Sequence, residues 1–222
     1  MHRLPLEPIL ERSLVTQGHR LIAGLDEAGR GPLAGPVVAA AVVLDLDAVP
    51  EGLADSKVLT AKRREDLFEF ILKSAQVGIA SVSAATIDAI NIRQASLLAM
   101  CRALAALPCV PDAALVDGND PPDLPCAPDA ALVDGNDPPD LPCAVQTVVK
   151  GDATVPSIAA ASIVAKVMRD RMMRELGLHH PAYGFASNAG YSTAGHLKAL
   201  AQEGPCPFHR RSFAPIRAVN VT

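Results

Sequence analysis

Asp26 and Glu27 stand side by side at the end of a short apolar run, residues 21–25. Gly29, Gly31 and Gly35 follow, with Pro32 and Pro36 between and after them. The apolar run reads as a buried strand, and the glycines and prolines turn the chain after the acids. Carboxylates at the end of a buried strand are costly unless their charge is compensated, and a divalent metal ion is the usual compensation where several converge. A lone Asp-Glu pair on a turn is more often simply solvated. Here Gly29-Arg30-Gly31 adds backbone that a ligand can approach closely and a guanidinium suited to phosphate. Further acids fall at or just past other expected strand ends: Asp152, and either Asp117 or Asp134. Acids at the ends of neighbouring strands can converge on one point. Oxygen ligands without an accompanying His or Cys set select Mg²⁺ or Mn²⁺ over zinc. Two such ions about 4 Å apart suit phosphodiester hydrolysis by an in-line water.

Other polar residues give weaker signals. His179, His180, His196 and His209 have no metal-ligand spacing that coincides with the acids. Asp170, well inside an expected helix and beside arginines, reads as a salt-bridge partner. Lys57 reads equally as a phosphate contact and as a surface lysine. The tail with His209, Arg210 and Arg211 reads equally as a contact to a nucleic-acid backbone and as a solvated segment.

The elements that must carry these residues follow from periodicity. Strands are expected at residues 21–25, 37–44, 77–82 and 145–149. Helices are expected at 61–74, with Leu67, Phe70 and Ile71 on the apolar face, and at 86–107, with Leu97, Cys101, Leu104 and Ala105 facing inward. Two more are expected at 157–176 and 194–202. The second half of the 157–176 helix carries Lys166, Arg169, Arg171 and Arg174, which suits a helix C-terminus and could also face a phosphate backbone. Residues 1–20 form a lead-in without an assigned element, and 177–195 read as loop-rich. Strands alternating with helices indicate an α/β domain with a mixed sheet.

Half of the 222 residues are hydrophobic, which excludes a disordered chain. No apolar run is long enough to span a membrane, and the first twenty residues lack a signal-peptide apolar core, so a cytoplasmic location is expected. Cys101, Cys109, Cys126, Cys143 and Cys206 make an odd set without C-x-x-C spacing, against a disulfide scaffold or a zinc site. The net charge of −4 at first argues against a nucleic-acid partner. Residues 111–127 read PDAALVDGNDPPDLPCA, however, and residues 128–144 repeat that segment without a change. Each copy carries four aspartates and no basic residue, so removing one would bring the charge from −4 to zero. The acidity therefore belongs to the repeat. Only one copy is needed for one slot in a sheet, and a looped-out segment of this length costs little in closure entropy. The first copy, with Asp117, is expected to hold the sheet and the second, with Asp134, to loop out.

The segment from Asp26 to Gly31, Asp-Glu-Ala-Gly-Arg-Gly, resembles the signature of ribonuclease HII, the type 2 ribonuclease H family. The resemblance continues through Asp55-Ser56-Lys57, Asp117-Gly118-Asn119, Lys150-Gly151-Asp152, residues 157–169 and residues 209–215, and so covers nearly the whole chain. It implies a ribonuclease H-like fold, a mixed sheet flanked by helices, with a C-terminal helical extension from about residue 177, all one catalytic domain over residues 1–222. It implies that Asp26, Glu27, Asp117 (with Asp134 as its duplicate rival) and Asp152 are the catalytic, metal-binding acids, served by Mn²⁺ or Mg²⁺. It further implies that Tyr191, in Gly190-Tyr191-Ser192-Thr193, meets the ribonucleotide at an RNA–DNA junction together with Gly29, Arg30 and Gly31, with Lys57 also on the substrate. The 2′-hydroxyl is what they would read. The chain departs from the family at Asn188-Ala189, where His-Lys is usual, and at Ser192, which replaces a common glycine. A missing lysine would weaken a phosphate contact.

The activity implied is endonucleolytic hydrolysis of the RNA strand of RNA–DNA hybrids and incision of DNA 5′ of embedded ribonucleotides. It would use two metal ions and leave 3′-hydroxyl and 5′-phosphate ends. The partners implied are the hybrid and ribonucleotide-containing DNA, with no membrane, for a monomer. Two rivals stay open. One is a metal-dependent nuclease of this fold acting on DNA or recombination substrates, against which Tyr191 with residues 29–31 argues. The other is an inactive hybrid-binding protein whose sheet the duplication has disordered.

Overall fold

The computed structural model describes residues 6–117, 130–133, 144–145, 148 and 150–219. The fold is organised on β2 (Val37–Val43), whose sequence VVAAAVV is buried at every position. A strand without polar alternation must be covered on both faces. Val37, Ala39 and Ala41 face α3 (Ala84–Ala105), while Ala40 and Val42 face α5 (Pro156–His179) and α2 (Ala61–Ser74). β2 pairs antiparallel with β1 (Ile22–Ala28) and with β3 (Gln76–Val82). On the other side of β1 lie β4 (Ala113–Val116), β5 (Ala130–Val133) and β6 (Ala144–Val145), all parallel to it. The sheet order is β3-β2-β1-β4-β5-β6. The mixed sheet between helices is thus present as expected.

Small residues set the layer spacing. At Gly24 a Cβ would overlap the backbone of Ser157, so glycine there lets the first turn of α5 lie against β1. Thr60 and Ser83 cap α2 and α3 by accepting from the N–H groups of Arg63 and Thr86. Within α3 the helix breaks at Asn91, which has a φ of 65°, and its side chain restarts the helix by accepting from the N–H of Gln94.

Several elements differ from expectation. The lead-in contains α1 (Ile9–Thr16), whose buried Glu11 accepts from the N–H and hydroxyl of Ser157 at 3.1 and 2.9 Å, at the positive end of α5. On α2, Phe68 is buried and Phe70 exposed, because the charged helix turns a slightly different stripe inward. On α3, Ala105 is exposed while Ala95, Ala99, Met100 and Ala103 join Leu104 in the core. Asp152 lies on a short helix, α4 (Gly151–Thr154), entered through Lys150 at a φ of 59°, rather than directly at a strand end. Of the expected strand at 145–149, the described part is β6 with a bridge from Val148 to Asp117.

The repeat is the largest difference. The second copy does not loop out: β5 lies against β4 with Ala113 opposite Ala130 and Val116 opposite Val133, each residue beside its own duplicate. An unpaired strand edge offers a row of N–H and C=O groups, and an identical segment satisfies them without changing the side-chain pattern. Asp134 lies outside the described residues.

After α5 the chain forms a 3-10 turn (Pro181–Tyr183), α6 (Phe185–Asn188), α7 (Ala194–Glu203) and α8 (Ala214–Val219), the expected helical C-terminal part. Among the described residues no helix is long and apolar enough to cross a membrane.

Candidate active site

The two-residue period of β1 sends its acids to opposite faces. Asp26 faces α5 on the side of Ser162, whose hydroxyl lies 2.9 Å from that of Ser56. Glu27 faces α3 and lines a small cavity of about 10 Å³ with Arg30, Arg93, Ser96 and Asp117. The parallel register of β1 and β4 ends at Leu25 opposite Val116, which puts Asp117 beside Asp26. The N–H of Gly151 donates to Asp117 at 3.2 Å, so the turn that carries Asp152 is tied to the end of β4. Lys57 reaches Asp152 at 3.4 Å. One end of the sheet thus gathers Asp26, Glu27, Asp117, Asp152 and Lys57.

The charges there are under strain. Burial, then Glu27 and Asp117, push the carboxyl of Asp26 well above the usual range, with the Ser162 hydrogen bond opposing. Burial also raises Glu27, although Arg30, 3.2 Å away, pulls it back. Partial burial works against the charge of Lys57, but Asp152, Asp55 and Asp26 outweigh it and raise its pKa. Among the described residues no group of three or more His, Cys, Asp or Glu side chains is already arranged to hold a metal ion. The donor chemistry nonetheless suits a hard divalent cation. Glu27 Oε2 is buried without a hydrogen-bond partner, and the repulsion among Asp26, Glu27 and Asp117 calls for positive charge.

Beside the acids, the loop from Gly29 to Pro36 wraps around two buried guanidinium groups. Arg210 donates to the carbonyls of Gly29 at 2.6 Å, Arg30 at 2.9 Å and Gly35 at 2.9 and 3.0 Å. Arg169 donates to Pro36, Ala34 and Ala189 at 3.0 to 3.2 Å. Gly29, at a φ of 100°, leaves no room for a side chain above Arg169. The ring of Tyr191, 47 % exposed, lies over Gly31, 3.8 Å from where a Cβ would stand. Gly29, Arg30, Gly31 and Tyr191 are therefore one surface, adjoining Glu27.

Some expectations of phosphate contact do not hold. Arg169, His209 and Arg210 are buried and so cannot reach a nucleic-acid backbone. Arg171 and Arg174 both pair with Glu65, at 2.5 and 3.1 Å. Asp170 is a salt-bridge partner as expected, but of Lys166, at 2.6 Å. Asn188, where the family pattern has His, braces the loop by donating to Tyr183 O and accepting from Gly190 N. Ser56, Ser162 and the structural role of Arg210 carry no signal in the local sequence. Their partners lie 100 or more positions away, as Ser162 does from Ser56 and Arg210 from Gly29, and no local spacing signals such pairs.

Residues 23–216 match the family model described as Ribonuclease HII. The chain is 54% identical over 199 residues to the ribonuclease HII of Parvibaculum lavamentivorans, covering 89% of this chain and 68% of that one. It is 53% identical over 210 residues to that of Ruegeria pomeroyi, covering 95% and 83%. In three dimensions it resembles the ribonuclease H2 of Pyrococcus horikoshii with a TM-score of 0.70 at 27% identity, over 90% of this chain and 97% of that one.

Proposed function

Because the chain belongs to the ribonuclease HII family, we propose that it hydrolyses the RNA strand of RNA–DNA hybrids and also incises DNA on the 5′ side of an embedded ribonucleotide. Products would carry 3′-hydroxyl and 5′-phosphate ends. The observation that carries the finer part is the exposed Tyr191 ring over Gly31, on a loop that begins beside Glu27. A 2′-hydroxyl is the group that distinguishes RNA from DNA at one position. The bare backbone of Gly29 and Gly31 can approach it closely, and the ring of Tyr191 can pack against the sugar that bears it.

Asp26, Glu27, Asp117 and Asp152 would hold the divalent ions, with Mg²⁺ or Mn²⁺ favoured by an all-oxygen donor set. Ions held there would supply activation of a water nucleophile and charge stabilisation for the leaving 3′ oxygen. The protein's own groups do the rest. The N–H of Glu27 orients Asp26, and that of Gly151 orients Asp117. Lys57, positively charged and 76 % exposed at the mouth of the site, attracts a substrate phosphate. The family's Lys position is Ala189 here, so affinity rests more on Lys57 and Arg30. We read the chain as one catalytic domain acting as a monomer in the cytoplasm.

The test is cleavage of a uniformly labelled RNA–DNA hybrid. Activity should require added Mg²⁺ or Mn²⁺ and should disappear in EDTA and in Asp26→Asn. Full cleavage in EDTA, or by the variant, would remove the metal assignment.

A further inference from the structure

His196 and His209 are both buried, packed among Tyr183, Phe185 and Cys206, and play no part in the chemistry above. A buried imidazole is stable only if its nitrogens find partners. Here they form a directed chain. The N–H of Cys206 lies 3.0 Å from His209 Nδ1. His209 Nε2 lies 3.0 Å from His196 Nε2. His196 Nδ1 lies 2.9 Å from the carbonyl oxygen of Tyr191. The two ends settle the protons between. A backbone N–H can only donate and a carbonyl can only accept. His209 Nδ1 therefore accepts, its Nε2–H donates to His196 Nε2, and His196 Nδ1–H donates to Tyr191. Both rings are neutral in this arrangement.

The chain ends on the backbone of the residue whose side chain meets the substrate. The Tyr191 carbonyl also accepts from Thr193 N at 2.8 Å, and its N–H donates to Asn188 O at 2.9 Å. The peptide is thus held on both sides while the ring stays exposed. The other half of that surface is tied to the same short segment. His209 bridges to Ala34, and Arg210, the next residue, holds the carbonyls of Gly29 and Arg30. A shift of His209 would move Tyr191 and Gly31 relative to each other.

We propose that His196 and His209 are positioning residues for ribonucleotide recognition: a neutral, oriented histidine pair that fixes Tyr191 against the Gly29–Gly31 loop. The proposal rests on the reading that Tyr191 meets the ribonucleotide. Loss of the pair should loosen a surface that must grip one 2′-hydroxyl, and matter less on a long hybrid, which offers many registers. An ordinary pair of buried histidines would affect both substrates alike.

The experiment measures kcat/KM on a duplex with a single ribonucleotide and on a long hybrid, for wild type, His196→Leu, His209→Leu and Tyr191→Ala. The two leucine variants should lower the single-site value relative to the hybrid value by tenfold or more. His196→Asn keeps a donor near the Nδ1 position and His209→Gln one near Nε2, so each should recover most of the selectivity. Equal losses on both substrates, or no loss, would overturn the proposal. If instead Tyr191→Ala shows no selective loss, the reading of Tyr191 fails. Nitrogen-15 NMR of the wild-type imidazoles at pH 7 gives a test that needs no variant. It should find neutral rings, Nε2–H for His209 and Nδ1–H for His196; the opposite tautomers or a charged ring would overturn it.

Discussion

Asp26 carries more unfavourable charge than its neighbours, and this has opposite consequences for stability and for activity. It is buried, next to Glu27 and Asp117, with its carboxyl pushed well above the usual range. Replacing it by asparagine keeps the shape and an oxygen that can accept from the N–H of Glu27 while removing the repulsion. Asp26→Asn should therefore melt higher than wild type in EDTA, by roughly 2–4 °C for about 1 kcal/mol in a domain of this size. The same variant should lose activity by about 10²–10³-fold or more, comparable to removing a single strong electrostatic stabiliser. Differential scanning calorimetry and a hybrid-cleavage assay check both halves. Tyr191→Ala should impair cleavage at a lone ribonucleotide more than cleavage of a long hybrid, measured as the ratio of kcat/KM values; equal losses would mark a purely structural tyrosine. His209 sets an acid limit. Burial, then His196, hold it down at about 4, with His180 and Arg211 adding to the effect. A base whose pKa is lower folded than unfolded takes up a proton on unfolding, so stability is lost as pH falls from about 6.5 to about 4, by at most about 1.4 kcal/mol per pH unit. Over that range the melting temperature of wild type should fall relative to that of His209→Gln, the difference isolating His209 from the carboxyls of Asp26 and Glu27, whose raised pKa values act in the opposite direction.

At the scale of elements, local signals place α2 and the cores of the first two strands. Helix α2 runs over the expected residues because its charge pattern and its Thr60 cap are local signals. β1 and β2 likewise follow from short apolar runs. What depends on tertiary packing was not legible. Which stripe of α2 turns inward is decided by the Phe68 contact with the core, not by its own period. Helix α1 is too short to signal itself and gains its place from Glu11 on the start of α5. The kink at Asn91 needs a positive φ that a polar side chain permits but does not announce. Acids at a sheet end were legible from Asp26 and Glu27. Their hydrogen-bond partners and the two buried arginines were not.

The repeat belongs at the same scale. β5 pairs with its own duplicate, and two identical neighbouring strands can exchange places, which narrows the gap between the native pairing and its rivals. Deleting residues 128–144 leaves 205 of the 222 residues. That shorter protein should be at least as stable by thermal melting, and at least as active. Asp117, beside Asp26, should carry the site, so Asp117→Asn should remove most of the activity and Asp134→Asn little. Activity in both single variants and none in the double would mean that the copies exchange. A lower melting temperature for the shorter form would give the duplication a structural role.

Across the whole molecule, the site is closed by residues from opposite ends of the chain. Arg210 holds Gly29 across 181 positions and Arg30 across 180, and Gly35 N donates to Phe208 O at 2.9 Å. The C-terminal helical part thereby holds the loop from Gly29 to Gly35 in place beside the acids on β1. The net charge of −4 lowers the long-range attraction for a polyanion, so on the proposed reading binding leans on local groups such as Lys57 and Arg30. One measurement tests this most directly: incubation of a DNA duplex containing a single ribonucleotide with and without Mn²⁺ or Mg²⁺, products resolved on a denaturing gel. Metal-dependent incision on the 5′ side of the ribonucleotide, leaving 3′-hydroxyl and 5′-phosphate ends, with an all-DNA duplex left intact, is the predicted result. Equal cutting of the all-DNA duplex, or no cutting beside the ribonucleotide at any metal concentration, would contradict it.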